Sequence, residues 1–281
     1  MIFLQSTAEP TAPFSSLQRA RGTGRIGVEQ TLGKTRLATL YQEGCAKIRL
    51  PNTHGTGVEA VLINTAGGLT GGDAIDWRAD AAENCRLTLT TPACERVYRS
   101  TGDFATVRTE LRAGPGAHID WLPQETILFE HSRLKRRLDI HLAQNATLTA
   151  LEAILLGREA MGEDARTARL TDDWRIYRDD RLIHAEATRL SADPHERDGA
   201  STLAGMRAFA TIVHIGPAAG RLLEQTRQKI IPDDPRIGAS ALGDKLIVRA
   251  MAESGLALRR LIVPILGLLS HGGTLPRLWH T

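Results

Sequence analysis

From Leu37 to about Leu190, apolar and polar residues alternate with a period of two, the pattern of strands that bury one face. Val107-Arg108-Thr109-Glu110-Leu111, Leu138-Asp139-Ile140-His141-Leu142 and Trp174-Arg175-Ile176-Tyr177-Arg178 are clear instances. Gly114-Pro115-Gly116, Gln144-Asn145 and Asp179-Asp180 punctuate the runs as turns. Segments 74–92, 106–124 and 137–153 share one plan: an alternating strand, a tight turn, then Asn84-Cys85, Gly116-Ala117 or Asn145-Ala146 opening a second strand. The markers recur at roughly 30 residues, a period of stacked repeat architectures. An antiparallel sandwich of ordinary hairpins produces similar runs, so this pattern leaves both open.

After Ser191 the texture changes. A polar loop, SADPHERDGAS, is followed by Gly216-Pro217, which opens a predicted helix over AAGRLLEQTRQKI. Ile231-Pro232-Asp233-Asp234-Pro235 should break it, and residues 254–270 predict a second helix, kinked or ended at Pro264. Residues 1–36 read as an irregular arm, 37–190 as a β-rich body and 191–281 as a mixed segment with helices, all in one domain.

Composition narrows the function classes. Three cysteines, Cys45, Cys85 and Cys94, are too few for a disulfide scaffold and suit a reducing compartment. The first residues, Met1 to Phe14, have no basic n-region or small-residue cleavage site, so no secretory signal is expected. The longest apolar run, Leu261–Leu269, contains Pro264 and falls short of the ~20 residues of a membrane span. A cytoplasmic protein without a membrane partner is the expectation. Net charge is only +3, with thirty arginines against five lysines, which suits forked contacts at protein interfaces as well as phosphates.

Several motifs prove empty on inspection. Gly22-Thr23-Gly24-Arg25-Ile26-Gly27 matches a dinucleotide-binding pattern but has no preceding strand and no βαβ context. Gly67 and Gly72 have P-loop spacing, yet Asp73-Ala74 stands where Lys and Ser/Thr are required, so a tight loop is the better reading. The nine histidines form no H-x-x-x-H, no Cys-x-x-Cys occurs, and no G-x-S-x-G is present. Dispersed carboxylates and imidazoles lining a cavity would leave no spacing signal. The basic run His131 to Arg137 lacks interleaved aromatics, so an acidic partner or a solvated strand face fits it better than nucleic acid.

Five segments together carry a resemblance: NTAGGLTGGD (64–73), TTPACERVYRS (90–100), WLPQETILF (121–129), LLGREAMGE (155–163) and Leu275-Pro276-Arg277-Leu278-Trp279. In this order they resemble the urease accessory protein UreD (UreH) family. The resemblance implies a mainly β fold, a β-helix-like stack of strand-turn-strand units with a few helices in the C-terminal third. It also implies a non-enzymatic maturation factor that bridges the urease apoprotein and a UreF homologue, which carries the GTPase UreG. No permanently bound cofactor is implied, only nickel in transit through an internal passage. Asp73, Glu125 and Glu163 on the matching motifs, with Glu152 just before the fourth segment, are the candidate nickel-passage carboxylates. Arg99, Arg158, Gly67, Gly68, Gly71 and Gly72 are assigned to partner contacts or structure. No metal role is carried to His131, which stands where relatives often have a small turn sequence. The alternative kept beside this reading is a basic β-solenoid that binds nucleic acid or an acidic protein surface through Arg133–Arg137. A hydrolase with an unrecognised spatial site is a third.

Overall fold

The computed structural model describes residues 18–53, 55–193, 195–230, 234 and 236–280. The chain begins with β1 (Arg21–Thr31) and β2 (Lys34–Gly44), a hairpin turned at Leu32-Gly33, followed by β3 (Ala46–Arg49) and β4 (Val58–Asn64). Three turns of solenoid follow. The first contains β5 (Ala74–Ala81), β6 (Arg86–Thr90) and β7 (Glu95–Val97). The second contains β8 (Ala105–Ala113), β9 (His118–Leu122) and β10 (Thr126–Leu128). The third contains β11 (Arg133–Leu142) and the long β12 (Thr147–Leu156). A hairpin of β13 (Arg169–Arg178) and β14 (Arg181–Ser191) then turns at Asp179-Asp180, both with positive φ.

Parallel register joins the coils. Ala74 pairs with Thr106, Arg86 with His118 and Glu95 with Thr126, so each coil advances the chain by about thirty residues. One sheet runs β14-β13-β11-β8-β5-β1-β2, with antiparallel strands only at its two edges. This is a stacked solenoid, and it excludes the sandwich of hairpins. The turn markers stack as the repeat required. Gly116 N–H donates to Asn145 Oδ1 at 2.8 Å and Asn84 N–H donates to the Pro115 carbonyl at 2.8 Å. Cys85, Ala117 and Ala146, one residue on, are all buried in the core between the sheets.

The second sheet continues from β12 through β15 (Ala208–Ile215) and β17 (Lys245–Ala252) to the edge strand β16 (Ile237–Leu242). Its outer face is covered by α2 (Ala219–Lys229) and α3 (Gly255–Leu269). Covered on both sides, β9 and most of β12 are buried without alternation. α1 (His195–Asp198) is one turn inside the polar segment read as a loop. Among the described residues no helix is long and apolar enough to cross a membrane.

Two expectations change. The irregular arm fails from Arg21 onward, because β1 lies inside the first sheet, paired parallel to β5 and antiparallel to β2. Its buried positions are Gly22, Gly24, Ile26 and Val28, so the alternation exists, but two of its inward residues have no side chain to reveal it. Trp77 fills that space: a Cβ on Gly24 would stand 2.2 Å from Trp77 Cζ3. Residues 1–17 of the arm lie outside the described residues, as do residues 231–233 and 235 of the expected break after α2. Pro264 does not end α3. The buried stripe Leu258, Ile262, Ile265, Leu266 and Leu269 spans the proline, so burial outweighs one lost helix bond. Ser254 caps the start, its Oγ accepting from Ala257 N–H at 3.2 Å.

Candidate functional site

The motif segments 64–73, 90–100, 121–129 and 155–163 occupy one corner of the solenoid in successive coils. There β7, β10 and the end of β12 form a third short parallel ladder, extended by a bridge between Leu69 and Val97. The corner is tight. Gly68 has φ +149° and a Cβ there would lie 2.3 Å from Tyr98 Cε2, while one on Gly71 would lie 2.1 Å from Ser100 Oγ. The GGLTGGD loop therefore fits only against the VYRS segment of the next coil, which explains their occurrence together. Gly67 and Gly72 also have positive φ. The terminal segment packs on the same corner: Trp279 Nε1 donates to the Leu122 carbonyl at 3.0 Å and Gln124 Nε2 to the Leu278 carbonyl at 3.1 Å.

The candidate residues divide. Asp73 is buried and fixes the loop, its Oδ1 accepting from Ala20 N–H and its Oδ2 from Thr70 N–H, both at 2.8 Å. Glu125, 1% exposed, is held by Arg259, whose Nε stands 2.7 Å from Oε1. Cys94 Sγ donates to Glu125 at 3.4 Å, and burial with that carboxylate pushes the thiol up to about 11. Glu163 accepts from Glu130 N–H at 2.7 Å and pairs with Arg158 at 2.5 Å, while Arg158 stacks on Phe129. Arg99 contributes its carbonyl to the Thr70 hydroxyl and bridges to Ser132 through its backbone.

Glu152 is placed differently. It points between the sheets from β12, where Trp121 Nε1 donates to Oε1 at 2.9 Å and Arg136 Nη1 stands 2.5 Å from Oε2. Alternation along β11 turns Leu134, Arg136, Leu138, Ile140 and Leu142 inward together. Arg136 thus occupies an apolar position. Its Nε and Nη2 donate to both oxygens of Asp172 on β13, at 3.0 and 2.6 Å, and Nη1 to Thr126 Oγ1 at 3.1 Å. Burial opposes the charge on Arg136, yet Asp172 and Glu152 hold its pKa above the ordinary value. Burial also raises the Glu152 pKa well above the usual carboxylate range, against the pull of Arg136.

Voids border these groups. An interior cavity of about 60 Å³ is bordered by Glu95, Gln124, Thr126, Arg136 and Glu152. Glu152 also borders a gap of about 10 Å³, together with Asp172, Glu186, Thr188 and Thr211. Thr188, Phe209 and Thr211 also border an open groove of about 590 Å³ at the end of the solenoid. Carboxylates Glu95, Glu152, Asp172 and Glu186 thus form a file along two voids that share Glu152, the second of which adjoins the groove through Thr188, Phe209 and Thr211. Glu186 accepts a fork from Arg249 at 2.8 and 2.7 Å. Glu95 is raised to about 7 by burial, opposed by the Asn64 amide. Among the described residues no three His, Cys, Asp or Glu side chains converge as ligands for a metal ion.

Residues 20–280 match the family model described as "UreD urease accessory protein". The chain belongs to the UreD urease accessory protein family. It is 60% identical over 276 residues to a protein of Chelativorans sp. (strain BNC1) named urease accessory protein UreD, covering 98% of this chain and 99% of that one. A protein of the same name in Rhizobium rhizogenes is 48% identical over 264 residues, covering 94% and 96%. One in Agrobacterium fabrum is 47% identical, covering 94% and 92%. The fold expected from the resemblance, a mainly β stack with late helices, is the fold observed.

Of the four candidate carboxylates, the structure brings only Glu152 into the file. Arg136, Asp172, Glu186 and Glu95 escaped the motif reading. Arg136 alone left a signal: a cation in register with the inward residues Leu134 and Leu138 is a buried charge in need of partners.

Proposed function

We propose that the chain is a non-enzymatic scaffold of urease maturation, working in the cytoplasm between the urease apoprotein and a UreF homologue that carries UreG. In this reading its buried carboxylate file guides nickel as transient cargo. One observation carries it: Glu95, Glu152, Asp172 and Glu186 border two adjoining voids that share Glu152, and the second shares Thr188, Phe209 and Thr211 with a surface groove. Oxygen donors in succession lower the electrostatic barrier for a dication, whereas converging nitrogen or sulfur ligands would retain it. The relatives' name supports the urease connection.

The alternative through Arg133–Arg137 has less support. Strand alternation splits the run: Arg136 turns inward, Arg137 pairs with Asp139 at 2.6 Å, Lys135 stands over Phe104 and Arg133 donates to the Gly102 carbonyl. It therefore presents no continuous cationic stripe.

The test is Glu152→Gln, which keeps shape and one acceptor for Trp121. Co-expressed with urease and the other accessory proteins at limiting nickel, it should retain partner co-purification and lower urease activation by roughly tenfold, the scale of one lost charge contact. Full activation with intact co-purification removes Glu152 from the route.

A further inference from the structure

The interior has a constriction, and a cation already stands in it. Arg136 borders the cavity of about 60 Å³, Asp172 borders the gap of about 10 Å³ and Glu152 borders both, so these three side chains stand where the two voids adjoin. The smaller void holds no more than about one water. All three guanidinium nitrogens are engaged, two by Asp172 and the third by Glu152 and Thr126. The carboxylates approach from opposite sheets, Glu152 from β12 and Asp172 from β13, and the guanidinium ties them across the interior.

We propose that Arg136 is a resident counter-ion that closes the file when no cargo is present, filling the place between Glu152 and Asp172 that a passing divalent cation requires. The inference rests on the conduit reading and adds its regulation. A dication and a guanidinium repel and compete for the same oxygens, so one enters as the other leaves. Room for the exchange exists. Arg136 borders the interior cavity, where Thr126 Oγ1 already accepts from Nη1, and Glu95, bonded by Asn64, borders the same space. A guanidinium swung toward that cavity leaves Glu152 and Asp172 to the cargo while keeping Thr126 as an acceptor on the side that Glu95 borders. The return swing expels the ion. An arginine suits this task because its planar fork engages two carboxylates at once.

The experiment is equilibrium dialysis of the full-length chain with Ni²⁺ at neutral pH, comparing the parent with Arg136→Met, Arg136→Lys and Glu152→Gln, each checked for folding by circular dichroism. Arg136→Met frees both carboxylates and is expected to bind one Ni²⁺ roughly tenfold more tightly, as expected for removal of a competing buried charge. Its urease activation in co-expression should fall, because the ion is retained. Should Arg136→Met fail to fold, Arg136→Lys decides: a lysine cannot fork across both partners, so Ni²⁺ binding should tighten by about threefold. Binding unchanged from the parent in the folded variant overturns the counter-ion. The two readings fail separately. If Glu152→Gln impairs activation while the Arg136 variants bind Ni²⁺ as the parent does, only the counter-ion is lost. If Glu152→Gln activates fully, Glu152 is off the route, and the counter-ion falls with it.

Discussion

Glu95 offers a quantitative test of the buried file. Its carboxylate lies against Asn64, whose Nδ2 donates to both oxygens at 3.2 and 3.3 Å, and it shares the interior cavity with Arg136 and Glu152. Cys45 lies near enough to feel its charge. Burial raises its pKa from 4.5 to about 7. The folded state therefore holds this proton more tightly than the unfolded state does. Between these two values the native chain binds more protons, so stability falls as pH rises through the window and levels off above about pH 8. At about 1.36 kcal/mol per pKa unit, the ionised carboxylate costs on the order of 3 kcal/mol above the window. Glu95→Gln keeps the acceptor for Asn64 and cannot ionise. Urea denaturation from pH 4 to pH 9 should show the variant close to the parent at the acid end and more stable by on the order of 3 kcal/mol at the alkaline end. The difference between variant and parent isolates Glu95 from Glu152, whose raised pKa tilts both curves in the same sense. A difference that stays constant across the range refutes the argument, since it would mean that Glu95 titrates alike in both states.

Two further substitutions test the corner and the first strand. Asp73→Ala leaves Ala20 N–H and Thr70 N–H without their carboxylate and should lower stability by about 3 kcal/mol in urea, against about 1 kcal/mol for Asp73→Asn; equal small losses would deny Asp73 its loop-fixing role. Gly24→Val drives a side chain into Trp77 and should cost about 3 kcal/mol, whereas Gly27→Val, whose Cβ would meet Thr39 at 3.4 Å, should cost less than about 1 kcal/mol. Thermal or urea midpoints that rank the two glycines the other way would show that Gly24 is not an inward strand position.

Local pattern carried much of this protein. Period-two alternation marks the strands from Leu37 to Leu190, and the markers Asn84, Gly116 and Asn145 recur because each coil must turn at the same height. The motif corners were legible because glycines at Gly68 and Gly71 are demanded by the coil packed above them. Where side chains carry no signal, the reading failed: Gly22 and Gly24 hid a strand that Trp77 completes, and Pro264 looked like an end because the burial of Ile262 and Ile265 on either side of it is not a local property.

The file of carboxylates belongs to the tertiary structure alone. Glu152 stands just before a motif segment, but its partners Arg136 and Asp172 lie 16 and 20 residues away along the chain and carry no common spacing. They meet because β11 and β13 are parallel neighbours in one sheet, with Arg136 and Asp172 in register, and β12 in the other sheet faces them across the interior. Sequence determined which residues face inward, since alternation is a property of a single strand. Only the stacking register, set by the whole ladder of coils, decided which inward charges share a guanidinium.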